Sequence, residues 1–507
     1  MTSDVADYVV VGAGSAGSIV ASQLSSAGAS VVLIEAGGTE RRPDVLPPVG
    51  IKSLHATANW KYQCAPDGSA ATTGDTFSSG RIVGGSGSIN AMVYVRGRRS
   101  DFDGWRDAGC DGWSFDDVLP HFKAIESWTG GADDYRGADG PIAVSWCGYH
   151  HELDDAFIEA AVEAGHAHNL DQNGQSQLGV ARTQVNQRRG LRSSSARGYL
   201  RALPRRQRPR LFTRTRVERV LFEGRRAVGV QCGDRVFRAR ETVVLCAGAI
   251  GTPALLMRSG VGPGGEVVDV PGVGENLQDH LVAAQTWTSR VATVNTLGPL
   301  DILRAIERFV MHGTGPLAVA PFQSQLFTDE FQIAVCPMHY SIDRATGRTT
   351  TPRADGFTIF TVLLRPEARG RVRLYNGSPR VEFVRLGLDT DRHRLVEGAR
   401  LACDLTALPA MAELVIDSMA DGAVPSEDGE ASSAWLRRHE LSIAHAAGTC
   451  RMGTDDDAVV DSALCVRDTE NLRVVDASVM PTVPSGNPNA ATMMIGHRGG
   501  QIMLSEA

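Results

Sequence analysis

The stretch "HAAGTCRMG", residues 445–453 of a 507-residue chain, places an imidazole, a thiol and a guanidinium in one short segment. Histidine is the side chain whose ordinary pKa lets it give or take a proton near neutral pH, so His445 is a candidate acid–base group. Cys450 has no second thiol close by in sequence and reads as small, semi-apolar packing. Arg451 reads as a structural ion pair or a clamp on backbone carbonyls rather than an anchor for an anionic substrate. A second segment, "PSGNPNAAT" at 484–492, carries two amides, Asn487 and Asn489, able to donate a hydrogen bond to an oxygen that gains negative charge. His497, in "IGHRGG", falls on a terminal helix outside any such pocket.

These groups need a scaffold, and the other end of the chain supplies its first part. "DYVVVGAGSAGSIVASQLSSAGASVVLIEAGG" (7–38) is a short apolar strand, a glycine turn, a helix of small residues and a second strand ending in an acid. Gly12 suits the tight turn, Gly14 the approach of a pyrophosphate, and Gly17 the packing of helix on sheet. Glu35 follows at the distance of a ribose-binding carboxylate. The acid argues against a 2′-phosphate and hence against NADP, while NAD and FAD both remain open. "GRIVGGSGSINAMVYVRG" (80–97) is too rich in glycine for a helix interior; a ligand-facing loop and a structural turn fit it equally. Residues 216–263 give short strands with turn signals at 223–225 and 233–234. They end in the apolar run "TVVLCAGAI", which leads into "GTPALLMRSG" with Pro253 in a helix first turn. The nucleotide unit is therefore expected to be discontinuous in sequence.

The length favours two domains. With 42% apolar and 21% charged residues the composition is that of an ordinary globular protein, and its 55 glycines point to tight turns. A net charge of −7 without a basic run excludes a nucleic-acid binder; "RALPRRQRPRLFTRTR" (201–216) reads as an exposed connection. Nine scattered cysteines without a C-x-x-C pair argue for reduced thiols, against a disulfide scaffold and against a zinc site, so no metal is expected. No leader pattern and no apolar run long enough to span a bilayer is present, and a cytoplasmic location is the expectation.

Together with "DVPGVGENLQDHL" (269–281), "LLRPEARGRVRL" (363–374) and "NLRVVDASVMPTVPSGNPNAATMMIGHRGGQIM" (471–503), these segments resemble, in order and over nearly the whole length, the glucose–methanol–choline (GMC) family of FAD-dependent alcohol oxidases and alcohol dehydrogenases. The resemblance implies an α/β fold with a Rossmann-like FAD-binding domain from residues 1–110, 188–280 and 440–507. A substrate-binding domain, an antiparallel sheet with helices, would come from 111–187 and 281–439. "TIFTVLLRPEARGRVRLYN" independently reads as two β-runs around a Pro/Gly turn, fitting a strand pair there.

By family position FAD would be held by Gly12, Gly14, Gly17, Glu35, Gly85, Asn90, Ala91, Val217, Asp476, Ala477 and Asn489. Val217 would meet the adenine through its backbone. Ile89 stands where some members carry a histidine that bonds FAD covalently, which implies a noncovalent cofactor. The implied reaction moves a hydride from an alcohol carbon to flavin N5, with His445 as base and Asn487 as oxygen ligand; an exchange of roles between Asn487 and Asn489 stays open. The implied partners are a small-molecule alcohol and an electron acceptor, whether oxygen, a quinone or a redox carrier. The same residues would also fit a hydroxynitrile-lyase-like activity or a non-catalytic flavin-binding protein. His280 is implied to be structural and His339 to lie near the substrate cavity. Residues 287–325 lean towards an uncharged or aromatic alcohol over a quaternary ammonium.

Overall fold

A run of β-branched residues opens the first sheet in the computed structural model, which describes residues 3–65, 76–339, 341–343, 348–350, 352–418, 424–426 and 429–506. Strand Ser3–Val11 pairs in parallel with Val31–Ile34 on one side and with Arg235–Leu245 on the other. Val9, Val10, Val32 and Leu33 are fully buried, as expected where a parallel sheet is covered on both faces. Arg210–Phe212 and Leu472–Val474 extend the parallel part, and Arg219–Glu223 with Arg226–Cys232 adds an antiparallel flap, giving seven strands. Segments that start at residues 3, 210 and 472 thus share one sheet. The fold is the mixed α/β, Rossmann-like arrangement expected from the sequence.

The second sheet is antiparallel and also seven-stranded. Leu281–Ser289, Gly356–Leu363, Phe331–Cys336 and Ser324–Phe327 form its centre, and Gly179–Arg182 and Val415–Ser418 its edges. Side chains alternate across a strand. Leu281, Ile333, Val335 and Ile359 therefore enter a core with helices Glu152–Glu163 and Asp389–Ala407, while Val282, Cys336, Phe360 and Val362 turn to the opposite side. Among the described residues no helix is long and apolar enough to cross a membrane.

Two features depart from the sequence reading. The runs 356–363 and 371–375 are both strands, but they do not pair: Arg371–Tyr375 pairs with Ser378–Glu382 instead. Asn376 and Gly377 have φ of 51° and 71°, the left-handed pair that closes a two-residue hairpin, so the nearer partner wins. The intervening loop is turned away by the Asp391 carboxylate, which accepts from the Glu367 and Ala368 amides. Packing also changes inside 111–187 and not at residue 111. Trp113, Phe122 and Val144 join the core of the first sheet, whereas Phe157 and Val180 join that of the second.

A buried ion network anchors the chain where it leaves the glycine-rich segment. Arg96 and Arg136 both contact Glu126, at 2.5 and 2.9 Å, and all three are excluded from solvent. Arg136 also reaches Asp171. Removing one charge from such a cluster leaves the others uncompensated in a low dielectric, so Glu126→Gln is expected to destabilise the protein by about 3–5 kcal/mol. Urea or guanidinium unfolding measures this, and an unchanged midpoint would contradict it.

Candidate active site

A cavity of about 1420 Å³ lies between the two sheets. One end is lined by Gly12, Gly14, Glu35, Gly85 and Val217, the other by His445, Asn487 and the inner face of the second sheet. At the first end the glycines divide by function. A Cβ on Gly12 would stand 2.3 Å from the Cys246 carbonyl oxygen, and one on Gly17 would stand 2.0 Å from that of Gly12, so protein itself fills those spaces. A Cβ on Gly14 would meet no protein atom closer than 3.9 Å, although the residue lines the cavity. The space its missing side chain leaves is free for a ligand, as a dinucleotide phosphate turn requires.

The other expected cofactor residues gather round the same end. Glu35 accepts from the amides of Gly37 (2.7 Å) and Ala13 (3.1 Å), and burial pushes its carboxyl up to about 7 against the pull of those bonds. Gly85 crosses Gly14 so closely that a Cβ would come within 2.8 Å of its Cα. Ser15 donates to Asn489 Oδ1 at 2.7 Å, which ties the terminal helix Asn489–Glu506 to the first glycine turn. Ala91 and Ala477 line the cavity. The Asp476 carboxylate accepts from Gly248, Thr252 and Ser478 and so is fully engaged within the protein; burial raises its pKa. Ile89 packs among Val45, Leu54, Ala58 and Ile82.

Sequence reasoning did not find Arg192. Its buried guanidinium donates to the carbonyls of Val45, Gly87 and Asn90 and to Asn90 Oδ1, clamping the second glycine loop. Burial alone lowers its pKa to about 9. Nothing in "QRRGLRSSSARG" separates it from its neighbouring arginines.

At the far end His445 Nε2 lies 3.2 Å from Asn487 Nδ2, and its Nδ1 lies 2.8 Å from His280 Nδ1. The protons in this cluster follow from a chain of amides. Gln172 Nε2 faces two backbone carbonyls, those of Gly179 and Gln325, and must donate to them. Its oxygen then accepts from Gln325, whose oxygen accepts from Gln332, whose Nε2 also donates to Asn487 Oδ1. Asn487 is left to donate through Nδ2, so His445 Nε2 presents a lone pair and its proton sits on Nδ1, towards His280. Burial first, and repulsion from His280 second, hold the His445 pKa well below 6.5. Burial lowers His280 to about 4, opposed by the carbonyls of Leu364 and Pro484. Both rings are neutral at pH 7.

Both loops are irregular, and residues 276–280 hold them together. Asn276, at φ 56°, donates to the carbonyls of Gly448 and Pro481. Gln278 exchanges two backbone bonds with Ala447, donates to Pro481 O and accepts from the Val483 amide. Asp279 accepts from the His445 amide (2.7 Å) and from Ser442. Ala444, immediately before His445, has φ 59°, a left-handed conformation unfavourable for a residue with a Cβ.

The remaining polar residues fall outside the cluster. Cys450 is buried, with its thiol pKa pushed well above 9 by burial. Arg451 forms a two-pronged ion pair with Asp455. His497 contacts His121 and does not line the cavity. His339 does not line it either: its backbone is bonded to Asn295, and the adjacent Met338 faces the cavity instead.

The sequence matches the family described as GMC oxidoreductase over residues 6–282 and again over 366–496. It is 35% identical over 98% of its length to an oxygen-dependent choline dehydrogenase of Vibrio vulnificus, 94% of which is covered. Among solved structures, pyridoxine 4-oxidase from Mesorbium loti superposes with a TM-score of 0.85 at 29% identity, covering 98% of each chain. An FAD-dependent oxidoreductase from Chaetomium thermophilum superposes with a TM-score of 0.87 at 23% identity over 99% of each chain, a likeness of fold.

The two glycine classes predict opposite outcomes. Gly14→Ala should fold with stability within about 1 kcal/mol of the parent yet bind FAD at least ~100-fold more weakly, since the methyl enters only ligand space. Gly17→Ala should fail to fold or lose several kcal/mol, because its methyl meets backbone. Thermal unfolding and flavin titration of the apoproteins separate the two, and tight FAD binding by Gly14→Ala would refute the assignment.

Proposed function

The chain belongs to the GMC oxidoreductase family, and we propose that it oxidises an alcohol to the carbonyl with FAD as cofactor, His445 as proton acceptor and Asn487 as hydrogen-bond donor to the substrate oxygen. The observation that carries this reading is the fixed pairing of an imidazole lone pair with an amide N–H, 3.2 Å apart, at the end of a cavity whose other end is built for a dinucleotide.

Bound FAD supplies the hydride acceptor. The protein's share is the proton and the alignment. A substrate hydroxyl set between the two groups gives its proton to His445 Nε2 while its oxygen accepts from Asn487 Nδ2. The His445 Nδ1–H points at the His280 Nδ1 lone pair, which holds the ring in the tautomer that leaves Nε2 open to the proton. His280 is thus a positioning residue. Gly14, Gly85, Glu35, Val217, Ala477 and Asn489 line the part of the cavity where the dinucleotide would bind. The alkyl side chain of Ile89 offers no nucleophile, so the cofactor is held noncovalently there. The acceptor to test first is oxygen, because one relative is named oxygen-dependent and one solved neighbour an oxidase; a quinone or a redox carrier is the alternative.

His445→Ala and Asn487→Ala should each retain FAD and slow its anaerobic bleaching by an alcohol about 10²–10⁴-fold. Bleaching at the parental rate by His445→Ala would refute the base assignment. The pH profile gives a separate check. A base must be neutral to act, and a pKa held well below 6.5 leaves His445 neutral throughout pH 6.5–8. The acid limb of kcat/KM should therefore lie below pH 6.5, with activity lost only as pH falls through the lowered pKa. A limb above 6.5 would contradict the structure.

A further inference from the structure

Beyond His445 and Asn487 the cavity ends in a chamber walled by the inner face of the second sheet. Gln332, Phe360 and Val362 come from its central strands, Leu441 from the strand Glu440–Ser442, and Phe322 and Met338 from adjoining loops. Phe322 and Phe360 stand edge to face, with centroids 5.1 Å apart and planes at 88°. The polar member, Gln332, is a neutral amide already committed to Gln325 and Asn487. The carboxylates lining the whole cavity, among the described residues, are Glu35 and Asp476. Both belong to the cofactor end, where amides and hydroxyls occupy them. Of the exposed residues that line the cavity, Lys52, Lys61 and Arg216 are cationic and, among the described residues, none is anionic.

A permanent cation entering this chamber would meet cationic side chains and no anionic one on the exposed lining, lose its water and find two phenyl rings in place of a counter-charge. Stripping an ion of water without pairing it costs far more than burying a neutral group of equal shape. Phenylalanine faces recover only a part of that cost. A neutral alkyl or aryl group, by contrast, gains from every methylene it buries there.

We infer that the substrate is an uncharged alcohol with an alkyl or aromatic body, and that choline, the substrate named for the relatives, is discriminated against. The inference rests on the proposed alcohol oxidation at His445 and Asn487.

Choline and 3,3-dimethylbutan-1-ol test it directly, since they share one shape and differ in a quaternary nitrogen against a quaternary carbon. Anaerobic flavin reduction of the holoenzyme should show kcat/KM at least ~100-fold higher for the neutral isostere, with benzyl alcohol also reducing the flavin. Choline equal to or better than its isostere would overturn the inference and leave the proposed function standing. Reduction by none of the three, nor by a wider panel of alcohols, would overturn both. Met338→Glu adds a carboxylate at the chamber wall and should shift the choline-to-isostere ratio towards choline at least ~10-fold. An unchanged ratio in a variant that still binds FAD and reduces it with the neutral alcohol would likewise overturn the inference.

Discussion

The proposed reacting groups, His445 and Asn487, depend on the short segment 276–280 for their placement. His445 and Asn487 sit on loops without helix or strand to fix them, 42 residues apart in sequence. Residues 276–280 lie between those loops and bond to both: Asn276 and Gln278 reach 447–448 and 481–483, and Asp279 takes the His445 amide. Because these groups are buried, losing a partner costs about 1–3 kcal/mol each, more than the net gain from an ordinary exposed hydrogen bond. The cost falls on the geometry of the pair, since each bond fixes a backbone position next to His445 or Asn487. The left-handed Ala444 fits this picture, a locally unfavourable conformation held by surrounding bonds.

Electrostatics at the site follow from the same burial. Two imidazoles in contact cannot both be charged in a low dielectric, so the resting pair is neutral. Neutrality alone leaves the tautomer open, and a base with its proton on the wrong nitrogen cannot accept another. The amide chain from Gln172 to Asn487 removes that freedom, because each amide has one orientation compatible with two backbone carbonyls at its far end. In the proposed site this orientation runs through neutral dipoles, and strands of the second sheet carry two of them, Gln325 and Gln332.

What could be read from the sequence is what local patterns encode. Gly12, Gly14, Gly17 and Glu35 announced their unit because strand, turn, helix and acid are contiguous. The structure brings Glu35, Gly85, Asn489 and Val217 to one end of the cavity and His445 with Asn487 to the other. Arg192 and the Gln172–Gln325–Gln332 chain were illegible because their partners lie up to 155 residues away and their residue types are common. The pairing of 371–375 was misread for a different reason: the Asn376–Gly377 turn signal lies just beyond the Pro/Gly turn that drew attention. His339 shows the limit of placing a residue by motif proximity. A one-residue step along the chain decides whether a side chain faces the cavity, and Met338 took that position.

The period-two geometry of the second sheet also explains how a shared fold can serve different alcohols. Residues 333, 335 and 359 belong to the core with the helices, whereas 332, 334, 336, 360 and 362 line the cavity. A substitution at a cavity-facing position leaves the helix–sheet core intact, while it changes what a substrate would meet. The proposed catalytic pair is insulated in the same way, since it is set by residues 276–280 and by amides at the chamber's margin. Roughly one third identity with choline dehydrogenases is therefore compatible with a retained reaction and an altered substrate. Gln332 both faces the chamber and hydrogen-bonds Asn487, so it links the wall that a substrate would meet to the proposed catalytic pair.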